Sequence, residues 1–169
     1  VDLDSGDYKR VYHGKDAEVW TVHFDGEGKE TGFIYGVTQY KHWPEFVPLG
    51  EPTYRTNLRS ALQGVFPDQT VSITSVTDDE NLFVLRVSAP HNTSSYYLWD
   101  KKLQKLRLLL HSNSRLEGKQ LAEMQGIEFK ARDGMPIQAY FTTPVGATPP
   151  YPTIVMVHGG PHGPRDTWD

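Results

Sequence analysis

The chain closes on TIVMVHGGPHGPRDTWD, Thr153–Asp169, in which an apolar run passes directly into His-Gly-Gly-Pro-His. A continuous apolar run that ends in glycines is the pattern of a central, largely parallel strand delivering a functional loop at its carboxyl edge. Thr153 to Val157 therefore reads as a strand. Gly159 and Gly160 read as positions where the backbone approaches a ligand closely, since glycine has no Cβ and tolerates unusual φ/ψ. Acyl-transfer chemistry needs such a backbone, because preorganised N–H groups stabilise the oxyanion that forms as a carbonyl becomes tetrahedral. In α/β-hydrolases one of those donors comes from the loop after the third strand and the other from the residue that follows the nucleophile.

Upstream, GIEFKARDGMPIQAYFTTP (Gly126–Pro144) predicts two strands around Asp133-Gly134, a strong hairpin signal, with Pro144 ending the second. VGATPPYP is a proline-rich loop, so Thr153–Val157 becomes the third strand of this unit, the place where the oxyanion loop belongs. HSNSRLEGKQLAEMQ (His111–Gln125) is polar and reads as a connector, with a short helical turn around Gln120 to Met124. Before it, DSGDYKRVY, AEVWTVHFDGEGKETGFIYGVT, QTVSITSVTDDENLFVLRVSA and SSYYLWDKKLQKLRLLL are β-rich runs broken by turn clusters, a train of antiparallel hairpins. Val71–Val76 alternates with one slip, as a strand exposed on one face does. Leu82–Val87 is almost continuously apolar, as a more deeply buried strand is. Four-stranded propeller blades recur about every 40 to 50 residues, so this region has room for two to three blades, too few to close a ring. The expected architecture is a mainly β fragment: residues 1–115 as the C-terminal part of a β-propeller, then residues 116–169 as connector and first strands of an α/β-hydrolase domain.

The combination IEFKARDGMPIQAYFTTP…PTIVMVHGGPHGPRDTW resembles the start of the catalytic domain of the prolyl oligopeptidase family of serine peptidases (S9), closest to its acylaminoacyl-peptidase and dipeptidyl-aminopeptidase-like members. The motif match covers about Ile127 to Trp168; over Val1 to Leu110 it rests on blade-like patterning and order in the chain. The resemblance implies a propeller that precedes and caps an α/β-hydrolase domain, admitting short peptides. It also implies that the Gly160 N–H is the oxyanion donor, with His158, Gly159 and Pro161 shaping the loop and His158 not acting as base. Hydrolases of this fold carry their nucleophile in G-x-S-x-G and their triad in the order Ser, Asp, His. No G-x-S-x-G occurs here, so the resemblance places all three triad members after Asp169 and leaves this chain inactive alone.

Composition narrows the alternatives. A hydrophobic fraction of 37% can supply a packed core, and 17 basic against 21 acidic residues, with no basic block, gives nucleic acid no footprint. The apolar runs fall short of the roughly 20 residues a membrane helix needs, and no targeting signal is legible, so localisation stays open. With no Cys there is no thiolate nucleophile, disulfide framework or Cys-ligated zinc. His158 and His162 lack the helix and Glu of H-E-x-x-H, so neither metal nor cofactor is expected. The bland readings are a plain strand-to-helix turn at Gly159-Gly160, a solvated turn at Arg165-Asp166 and a hairpin tip at Thr77–Asn81. Tyr40, Trp43 and Phe46 suit packing under a loop better than an aromatic binding patch. Arg165 could instead line a substrate cleft, and Trp168 either backs the oxyanion loop or forms a pocket wall. An esterase on the same fold and a non-catalytic propeller binding protein are the competing functions. Exposed β edges predict self-association.

Overall fold

The computed structural model describes residues 4–25, 32–160, 163 and 166–168. It is mainly β, with several antiparallel sheets and one α-helix among the described residues. The first sheet runs β1 (Glu18–Asp25), β2 (Phe33–Tyr40), β3 (Pro44–Pro48) in chain order. Its middle strand is the buried one, with Tyr35, Val37 and Tyr40 inside. The expected strand in DSGDYKRVY does not form. Residues 6–14 are irregular and Tyr8 is 86% exposed, because this polar stretch has too few apolar side chains to hold a face against the sheet.

Helix α1 (Tyr54–Val65) follows, an element that a β-only reading of this region overlooks. Its signals are local. Thr53 caps the N-terminus, accepting from the Thr56 N–H at 3.2 Å while the Thr53 N–H donates to Thr56 Oγ1 at 2.7 Å. Threonine thus takes the place of glutamate in a reciprocal capping box. Leu58 and Leu62, four apart, give the helix its apolar face.

That face closes over the second sheet, β4 (Thr70–Val76), β5 (Leu82–Ser88), β6 (Ser95–Asp100) and β7 (Lys105–His111), an antiparallel meander in sequential order. The core contains Leu58, Leu62 and Val71 with Phe83, Leu85 and Val87, the last three at most 1% exposed. Leu82–Val87 is therefore the deeply buried strand its pattern predicts, paired on both sides. Thr77–Asn81 is the hairpin tip: Asp79 accepts from the Thr77 hydroxyl at 2.6 Å and from the Asn81 N–H at 3.1 Å. These hydrogen bonds, Thr77 first, lower its pKa to about 2. Arg55 joins the first sheet to this tip, reaching Asp25 at 3.1 Å and Glu80 at 3.6 Å.

In the connector, Asn113 caps a single 3₁₀ turn at Ser114–Leu116, and the helical turn expected around Gln120 to Met124 is absent. Met124 instead opens β8 (Met124–Lys130), which pairs with β9 (Pro136–Thr142). The hairpin turns as predicted at Asp133-Gly134. Gly134 adopts φ 86°, and the Met135 N–H donates to Asp133 Oδ1 at 3.0 Å. At Gly126 a side chain has no room, since a Cβ there would lie 2.4 Å from the Cβ of His42. Beyond Thr142 the expected third strand is missing. Thr153–Val157 carries no ladder, and Ile154 to Val157 are 83–87% exposed. A parallel strand exists only beside neighbours that take up its N–H and C=O groups, and no described strand lies alongside.

Candidate functional site

The predicted oxyanion loop is open to solvent. His158, Gly159 and Gly160 are exposed, and a Cβ built on either glycine would meet nothing within 4 Å. His158 Nδ1 lies 2.7 Å from the Gly159 carbonyl. A carbonyl only accepts, so Nδ1 carries the proton in this contact. Pro161, His162 and Arg165 lie outside the described residues, so no position is given for Arg165 as a cleft residue.

Trp168 is half-buried and tethered twice: its backbone N–H donates to the Tyr40 hydroxyl at 3.1 Å and its indole N–H to the Met124 carbonyl at 3.1 Å. The cavity it lines, about 690 Å³, lies between β3, α1 and the start of β4, with Trp43, Phe46 and Arg59 among its other lining residues. The aromatic triplet of Tyr40, Trp43 and Phe46 divides here. Tyr40 is core, Phe46 packs under Arg59, and Trp43 stands 57% exposed at the cavity.

Arg59 was not legible as a site residue from the sequence. The one signal is its place on the buried side of α1, next to Leu58 and three residues before Leu62. It is only 7% exposed. Its guanidinium stacks 3.8 Å above the Phe46 ring, donates to the Tyr35 hydroxyl, and lies 3.2 Å from His23 Nε2. A guanidinium can only donate, so His23 Nε2 accepts from it, and from the Thr38 hydroxyl 2.7 Å away. His23 is therefore neutral with its proton on Nδ1; burial first, then the charge of Arg59, push its pKa down to about 4.

A serine–histidine–carboxylate series also occurs away from the glycine loop. Ser95 Oγ lies 2.9 Å from His111 Nδ1, and His111 Nε2 lies 3.6 Å from Glu117. Ser95 and His111 are cross-strand partners on β6 and β7. Ser95 is 8% exposed and its hydroxyl also donates to the Thr93 carbonyl at 3.3 Å. A nucleophile needs an approach path and donors for the oxyanion, so this series ties two strands together.

No protein-family model and no solved structure matches the chain. Among curated proteins, it is 29% identical over 126 residues to dipeptidyl aminopeptidase BIII of Pseudoxanthomonas mexicana, covering 70% of this chain and 18% of that protein. It is 27% identical over 150 residues to dipeptidyl peptidase family member 6 of Caenorhabditis elegans, covering 76% of this chain and 20% of that one. The chain thus spans about a fifth of the length of the curated relatives it matches. Both relatives carry dipeptidyl peptidase names, and this chain is a distant homologue of them.

Proposed function

We propose that the chain is part of a serine-type peptidase that hydrolyses short peptides through an acyl-enzyme, with Gly160 supplying one oxyanion donor. The observation that carries this reading is the similarity to two dipeptidyl peptidases over 70% and 76% of the chain. The His-Gly-Gly sequence after an apolar run adds to it. The nucleophile, base and orienting carboxylate come from the rest of the intact protein, since none of the serines here sits in G-x-S-x-G. The serine oxygen attacks the peptide carbonyl as the histidine takes its proton. The Gly160 N–H then holds the oxyanion, and the histidine returns the proton to the leaving amine.

The division into a propeller end at residues 1–115 and the start of a hydrolase domain at 116–169 belongs to the same proposal. The sequential four-stranded meander β4 to β7 supports it, being the unit from which blades are built. In the isolated chain, the edge strand β7, with Leu108, Leu109 and Leu110 half exposed or nearly so, favours self-association; a monodisperse monomer by light scattering refutes that element.

The decisive experiment replaces Gly160 by Pro in the intact protein, which removes the N–H donor. The expected result is a fall in kcat of about a hundredfold or more on a dipeptidyl chromogenic substrate, with KM little changed. Unchanged kcat sinks the oxyanion role. Labelling of the isolated chain by a fluorophosphonate probe sinks the placement of the triad outside it.

A further inference from the structure

Arg59 is a buried cation with unfinished electrostatics. Its Nε is enclosed and has no hydrogen-bond partner, and among the described residues no carboxylate forms an ion pair with it. His23 stands beside it as a neutral acceptor and supplies no charge. Removing a cation from water without an anion is costly unless a counter-charge can reach it. Arg59 lines the cavity of about 690 Å³, so the counter-charge has a route in. That volume suits a small organic ligand, and the lining sets the aromatic rings of Trp43, Phe46 and Trp168 beside polar side chains that can orient one.

We propose that this cavity is a binding site for a monocarboxylate with an apolar or aromatic body, the chemistry of a peptide C-terminus. The planar fork of Arg59 matches a carboxylate. Trp43, Phe46 and Trp168 provide the surface against which the body packs. Glu45 and Asp68 also line the cavity, and both are exposed. Their negative charge at the entrance disfavours a dianion such as phosphate more than a monoanion. The site is separate in its chemistry from the glycine loop and does not depend on the peptidase reading, because its occupancy is read by binding alone.

The test is isothermal titration calorimetry on the full chain with four probes: N-acetylphenylalanine, its amide, 3-phenylpropionate and inorganic phosphate. Saturable binding of N-acetylphenylalanine, at least about tenfold weaker for the amide, is expected for loss of a charge-assisted contact. A tighter N-acetylphenylalanine than 3-phenylpropionate identifies a peptide end as the ligand, and equal affinities identify a free acid. Equal binding of acid and amide, preference for phosphate, or no saturable heat overturns the proposal. Arg59→Gln should abolish the acid–amide difference. Since a change at this buried position can unfold the chain, Ser60→Leu, which fills the cavity from an exposed position on α1, serves as the second variant. Circular dichroism unchanged with binding lost supports the site; binding retained with the cavity filled overturns it.

Discussion

Two short apolar runs, LFVLRV at Leu82–Val87 and TIVMV at Thr153–Val157, have the same grammar and opposite fates. In the first, Phe83, Leu85 and Val87 are at most 1% exposed; in the second, Ile154 to Val157 are 83–87% exposed. Leu82–Val87 has antiparallel partners a short turn away on either side, while no described strand lies beside Thr153–Val157. Antiparallel neighbours come with the hairpin, but a parallel neighbour must come from a crossover of a dozen or more residues. Hydrophobicity specifies what a segment could bury; topology decides whether it does.

The sharpest way to break this comparison is a matched pair of truncations. Leu85→Ala should destabilise the chain by about 2–5 kcal/mol in urea melts, as cavity formation in a closed core does. Ile154→Ala in the same chain should change stability by less than about 0.5 kcal/mol. If the two cost the same, Thr153–Val157 is packed and the contrast fails. Gly126→Ala comes next, at about 1–3 kcal/mol, because the new methyl would overlap the Cβ and imidazole of His42. Thr53→Ala, which removes the cap of α1, should cost about 1 kcal/mol.

A pH titration probes the contact between the first sheet and α1. The folded state holds the pKa of His23 near 4, against 6.5 when unfolded, so between these values the unfolded chain binds more protons. Stability should therefore fall as pH drops from about 6.5 towards about 4, and His23→Gln should flatten that part of the profile. A slope identical in wild type and variant would place the titrating group elsewhere.

What the sequence made legible was local. The Asp133-Gly134 hairpin, the Thr77–Asn81 tip and the buried Leu82–Val87 strand each follow from residues within one turn of one another. Helix α1 was equally local, but its threonine–threonine cap lacks the glutamate that normally advertises a capping box, and its sparse apolar face of Leu58 and Leu62 hides among polar residues. The Arg59 cavity was out of reach for a different reason. Its lining includes Phe46 of β3, Arg59 of α1 and Trp168, far apart in the chain, and only the pairing of the first sheet, the packing of α1 and the tether of Trp168 to Tyr40 bring them together. The His-Gly-Gly run was legible as a motif but not as a geometry, since it stands exposed and a Cβ built on either glycine would meet nothing within 4 Å.

The double anchoring of Trp168 sets a leash on that loop. Gly160 lies eight residues before an indole pinned to the Met124 carbonyl, and a fully extended chain covers at most about 3.6 Å per residue, so the glycine cannot stray more than about 29 Å from that pin. At the other end, Pro144 departs from β9, whose Thr142 pairs with the same Met124. Both ends of the segment that carries His-Gly-Gly therefore leave from one point on the molecule, and whatever it docks against must come within that radius.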